Sequence, residues 1–437
     1  MPALDRSRRR GLRPLPLAHT GRPAPFRLTS PAYAAALGGW AAAAVLLVLA
    51  APALADGAVS GPRTVTAAHL VALVFFPFAV AAAVWQLLPV MLRNDPTRPW
   101  ARWIALPLLA AGTPLALGVA LDSAVLVASS AAALGTGLVL LLAELASLVR
   151  RAPRRKRLVV SRPAVALAGV HAAIAFALGA VLFADGGAAP LGVPYERLLL
   201  VHLTVALAGW LTVMILAVGR TLVPMLGLAP AAPPRRAPLA ELALVAGLWT
   251  LVAGLAWPAD AVAALGILVM LAALAVPAQR FLQVAQRGTT GWREGPVAHV
   301  AIGLVLLAQA AGLALAALAG LGEPRRAAIA AVVLLGLGWA VGVVAAHLGK
   351  LLSLSGWGSW PRGPRPKQAA LYPRRGWRLE LAAFALGVEL LAAGVLVGAS
   401  GLARAGAILL VVAALLAAGC GAETIRRVVT GRARSPG

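Results

Sequence analysis

The sequence predicts an all-α, polytopic membrane protein with about twelve transmembrane helices. Three observations carry this. First, of 437 residues 61% are apolar and 12% are charged, with a mean hydropathy of +0.88. Soluble domains carry about 25% charged residues. Second, the apolar residues fall into runs long enough to cross about 30 Å of hydrocarbon. Third, the basic residues crowd into alternate connections. A water-soluble enzyme, a disordered chain and a disulfide scaffold are excluded. The single cysteine, Cys420, leaves no intrachain disulfide and no cysteine-based zinc site.

The runs are bounded by Arg, Pro or Gly clusters and are taken in order. Span 1 covers 32–54, after a basic tail. Its Ala53-Leu54-Ala55 resembles a signal cleavage site, but the basic region is too long for a usual signal, so an uncleaved helix is expected. Spans 2 to 4 cover 66–92, 102–121 and 124–149. Spans 5 to 8 cover 163–184, 197–227, 238–257 and 260–283. Spans 9 to 12 cover 296–320, 327–352, 379–399 and 402–425. Lipid offers an unpaired backbone group no partner, so each run should be helical. Barrel strands would alternate polar and apolar residues, and these runs do not. One transmembrane domain is expected over 32–425, between tails at 1–31 and 426–437.

Lys and Arg divide 34 to 5 between the two sets of connections. By the positive-inside rule both termini are cytoplasmic, which needs an even number of spans. The net charge of +25 is therefore topogenic, and nucleic acid is not an expected partner. The lipid bilayer is. The longest loop, 355–378, carries Trp357, Trp360 and Trp377, which read as interfacial anchors. Arg-heavy, Ala-rich usage suggests a bacterial, GC-rich source, hence an inner membrane.

Spans 2, 6 and 10 share features. Spans 2 and 6 start with His69-Leu70 and His202-Leu203 and leave through Pro89 and Pro224. Span 10 repeats the Gly209-Trp210 of span 6 as Gly338-Trp339. A recurrence every fourth helix suggests three pseudo-threefold arcs of four helices.

Ionisable groups inside a membrane are costly and are functional candidates. His69 and His202 share a depth on different helices, about 6 Å inside the expected outer edge. Neutral imidazole ligates haem and copper, so the two could hold either. The alternative is that each simply bonds to a neighbouring helix. His171 lies mid-span 5, His299 starts span 9, and His347 sits at the inner edge of span 10. His19 lies in the tail and is no candidate. Glu389, mid-span 11, should be protonated or paired with a group such as His171 or Gln309. Arg220 could contact an acidic cofactor group or lipid phosphate, with snorkelling favoured; Glu144 and Lys350 are expected to snorkel too. There is no P-loop, dinucleotide fingerprint, Ser-His-Asp set or HExxH.

The stretch HLTVALAGWLTVMILAVGRTLVPML from His202 resembles histidine-bearing helices of the haem–copper oxidase subunit I superfamily. It is also similar to a segment of NnrS-like twelve-helix membrane proteins, a haem- and copper-associated family linked to nitric oxide stress. His347-Leu-Gly-Lys350-Leu-Leu-Ser353 resembles a His-x-x-Lys-aliphatic-aliphatic-Pro motif of small oxidase-like proteins, with Ser353 in place of proline. The resemblance implies an oxidase subunit I-like arrangement, haem or copper at His69 and His202, and respiratory-chain proteins as partners. Roles in respiration, metal handling or gas stress follow from it. Such an oxidase would also need a histidine pair after helix 6 and a His-x-His near the outer end of helix 10. Span 7 has no histidine, nor has 327–339, so a binuclear centre and oxygen or nitric oxide reduction are not expected. Two other readings stand beside this one. A small-solute or ion transporter would use Pro77, His171 and Glu389 along a central path. A cofactor-free assembly protein would use none of them.

Overall fold

The computed structural model describes residues 22–152, 161–184, 192–229, 237–361 and 363–431. Much of the basic tail, with His19, lies outside them, as do 432–437. Among the described residues there is no strand, and twelve helices are long and apolar enough to span a bilayer. They are α1 (Phe26–Ala55), α2 (Pro62–Leu92), α3 (Ala101–Ala120), α4 (Ala124–Arg151), α5 (Arg162–Ala184) and α6 (Tyr195–Leu226). The second half holds α7 (Ala237–Ala256), α8 (Asp260–Arg287), α9 (Gly295–Leu318), α10 (Pro324–Gly358), α11 (Arg374–Val397) and α12 (Ser400–Thr430). The chain is a polytopic membrane protein. Several helices outrun their expected limits. α1 begins at Phe26, and α10 and α11 extend into the loop, so that loop shrinks to 359–373. Flanking polar residues continue a helix without being apolar, so hydropathy sets the membrane crossing and not the helix end.

α2, α6 and α10 share an interruption. Each passes through a π-helical segment, at Val71–Phe75, Val205–Thr212 and Leu334–Val341. A π turn widens the helix and shifts its hydrogen bonds by one residue. Thr212 fills one displaced acceptor, donating its hydroxyl to the Leu207 carbonyl at 2.8 Å. The same hydroxyl accepts from the buried indole N–H of Trp339 at 3.0 Å, which ties α6 to α10 at their π segments. α2 and α6 also leave alike. The Asn94 and Ala229 amides donate back to the Pro89 and Pro224 carbonyls at 3.1 and 2.9 Å, past the left-handed residues Arg93 and Leu228.

A second recurrence escapes the sequence reading. α3–α4, α7–α8 and α11–α12 are hairpins packed through small residues. A Cβ on Gly254 would stand 2.3 Å from the Ala263 amide nitrogen, and one on Gly394 would stand 2.3 Å from that of Ala403. Gly118 faces Val127 in the same register. Gly266 and Gly406 return the contact onto Leu251 and Leu391. Glycine lets two backbones meet where any side chain would part them. α12 packs back along α1, so the last hairpin closes onto the first helix. Inside, Trp40 of α1 lies between Phe75 of α2 and Phe384 of α11.

Candidate functional site

His69 and His202 occupy corresponding places, each in the last turn before its π segment. Both are half-buried. His69 Nδ1 lies 2.8 Å from the Val65 carbonyl, and His202 Nδ1 lies 3.0 Å from the Ala175 carbonyl on α5. A carbonyl only accepts, so each Nδ1 carries the hydrogen. In a neutral imidazole the lone pair then sits on Nε2. Gly179 lets α5 pack directly against the His202 ring: a Cβ there would be 3.2 Å from the imidazole Cε1.

The donor set decides which metals suit these rings. Among the described residues no three His, Cys, Asp or Glu side chains converge as metal ligands. Zinc sites with three or four protein ligands therefore do not fit. Imidazole pairs are a donor set that haem iron and cuprous copper accept.

The opposite end of the bundle holds a denser polar group between α9, α10 and α11. Lys350 is buried and lies 2.7 Å from Glu294, the residue before α9. Its ammonium also sits 4.5 Å from the ring centre of Tyr372, which stacks on Trp377. Burial and the neighbouring Glu294 and Glu380 push the Tyr372 hydroxyl above its ordinary range, so it stays neutral. His299 Nε2 lies 3.0 Å from Glu380 Oε2, with both side chains buried. His347 is buried nearby, its Nδ1 2.7 Å from the Val343 carbonyl and its Nε2 unpartnered. Ser353, Thr424 and Arg427 hold the carbonyls of the 370–371 turn over this end.

Several expectations need correction. Lys350 does not snorkel, because Glu294 neutralises it inside. Glu144 is paired with a buried Arg102. Arg220 is paired with Glu241 of α7, whose other oxygen accepts from Ser161 at 2.6 Å. That pair lies at one end of a largely apolar cleft of about 60 Å³ between α5, α6, α7 and α8. Glu389 is half-buried and pairs with neither His171 nor Gln309. His171 packs instead on Gly209 and Trp249, and Gln309 is exposed. Trp377 is a core residue, wedged on Gly349, and not an interfacial anchor.

The sequence reading passed over Glu380 and Glu294. Glu380 follows Arg374, Arg375 and Arg378 and so reads as part of a solvated charged stretch. Its burial follows from the early start of α11, which draws that stretch into the helix. The sequence matches no known protein family and no curated protein.

Proposed function

We propose that this protein is a haem- or copper-binding member of the oxidase subunit I-like membrane proteins, seated in a bacterial inner membrane with both termini cytoplasmic. The single observation that carries the reading is the matched pair His69 and His202. Both donate Nδ1–H to a backbone carbonyl, which in the neutral ring leaves the lone pair on Nε2. This is the outer-shell arrangement that metal-bound histidines use to fix tautomer and ring orientation. The recurring π segments and the recurring hairpins favour three arcs of four helices. The 34 to 5 charge division favours the orientation.

His69 and His202 would hold the group through their Nε2 atoms. Once bound, it would supply one-electron chemistry or diatomic gas binding. The chain's own part is to present two neutral imidazoles, fixed by Val65 and Ala175, near the end away from the basic loops. With two histidines and no further converging ligand, electron transfer, gas sensing or metal handling suits the site better than oxygen reduction. Respiratory-chain proteins are the partners such chemistry calls for.

The test is an absorption spectrum and metal analysis of the full-length protein purified from haem- and copper-replete cells. One haem with a low-spin bis-imidazole spectrum, or one copper per chain, is expected. Protein free of both after growth and reconstitution with either would overturn the reading.

A further inference from the structure

We propose that His299 and Glu380, with His347 beside them, form a buried proton-binding site independent of the outer histidine pair. His299 Nδ1 lies 3.1 Å from the Gly295 carbonyl, which only accepts, so Nδ1 carries a hydrogen. A neutral His299 would then have a bare lone pair on Nε2. That nitrogen stands 3.0 Å from Glu380 Oε2. A carboxylate is acceptor only. Two bare acceptors do not rest at that distance in an apolar interior, so the pair carries a proton on one partner or the other. The pair is either imidazolium and carboxylate or imidazole and carboxylic acid. In both forms it holds one proton more than imidazole plus carboxylate.

Charge balance leads to the same count. Glu294 and Glu380 are both buried, and Lys350 neutralises Glu294. Glu380 needs a positive charge of its own, because an isolated buried carboxylate is very costly. The other groups packed around His299 do not supply one. On α10 stand His347 and Lys350. In the turn, Tyr372 is neutral. On α12, Cys420 carries no positive charge, and Arg427 shares Glu423 with Arg426 and spends a second nitrogen on the Ala370 carbonyl, with no bond to Glu380. On α6, Arg220 is taken by Glu241, and on α8, Arg287 is exposed. Arg374, at the start of α11, is exposed as well. Phe384 covers the imidazole with ring centres 6.1 Å apart. The group within reach of the Glu380 carboxylate is His299, 3.0 Å away, and a proton on that pair supplies the balancing charge locally.

The pair is not locked. Its 3.0 Å approach is off the line of a formed hydrogen bond, and neither Glu380 oxygen has another partner. His347, whose Nδ1 faces the Val343 carbonyl, keeps a buried Nε2 with no partner at the same end of the bundle. The proton can leave the pair for that nitrogen, giving a His347 imidazolium and restoring the Glu380 charge. The site thus takes up one proton and passes it on near the basic-loop end.

Infrared difference spectroscopy of the full-length protein in bilayers, stepped in pH and in heavy water, reads this directly. The wild type should show one titrating carboxylic-acid or imidazolium band. Glu380→Gln and His299→Gln should abolish it, and Glu389→Gln should leave it intact. His347→Leu should keep the band but slow its deuterium exchange several-fold. Should Glu380→Gln not insert, His299→Phe/Glu380→Leu removes the proton together with both acceptors, and it should insert without the band. A band that survives this double variant, or that disappears in Glu389→Gln, would overturn the proposal.

Discussion

Two groups of histidines lie at opposite ends of this bundle and are built on different terms. Near the start of α2 and α6, His69 and His202 are half-buried, each with Nδ1–H held on a backbone carbonyl. At the junction of α9, α10 and α11, His299 and His347 are buried among carboxylates and a lysine. Both groups fix Nδ1 on a backbone carbonyl. They differ in what faces Nε2. At the second end His299 Nε2 meets a carboxylate and His347 Nε2 is buried without a partner, whereas at the first no carboxylate among the described residues pairs with either ring. The first suits a ligand from outside the chain, whereas the second suits a proton kept within it. The buried group should therefore dominate stability and the half-buried group ligand binding.

The largest expected effect follows from that division. Lys350→Met strands the Glu294 carboxylate in the interior and should cost about 3–5 kcal/mol, whereas Lys350→Met/Glu294→Leu should recover most of it. Reversible unfolding in mixed micelles measures both. A single variant as stable as the wild type would mean that Lys350 reaches water.

The hairpins come next. Gly394→Leu drives a side chain into the Ala403 backbone and should cost about 1–3 kcal/mol. Gly254→Leu should behave alike, and equal losses would sharpen the correspondence between α7–α8 and α11–α12. Thr212→Val leaves the Trp339 indole N–H buried without an acceptor, at about 1–3 kcal/mol.

At the other end, His69→Ala in ligand-free protein should cost only about 1 kcal/mol, the worth of one ordinary hydrogen bond. A loss as large as that of Lys350→Met would erase the contrast. Smallest of all, Leu228→Gly relieves a left-handed residue at φ 50° and should stabilise by about 0.5–1 kcal/mol.

What the sequence made legible was whatever the bilayer forces on a chain. Twelve apolar runs had to be helices, and all twelve are found. The likeness of spans 2 and 6 also held in detail, down to the way their chains turn after Pro89 and Pro224. Charge partners were harder to see. Arg102 and Glu144 lie on neighbouring helices but far apart in sequence, and Arg220 finds Glu241 across a loop. Hydropathy averages treat each such residue as a cost and cannot say which other residue cancels it. The π segments were equally hidden, because Ala, Leu and Gly fill α- and π-turns alike. The glycine register of the hairpins was present in the letters but scattered among 45 glycines. Only the backbone contacts select the few that matter.

The most direct test of the outer pair is a double-variant comparison. Bound haem or copper is measured in the wild type, in His69→Ala, in His202→Ala and in the double variant, each checked for insertion in the membrane. If both Nε2 atoms hold one group, each single change should remove nearly all of the bound cofactor and the double change should remove no more. Losses that add, or a single variant that keeps the wild-type content, would show that the two histidines do not share a ligand and would contradict the proposed site.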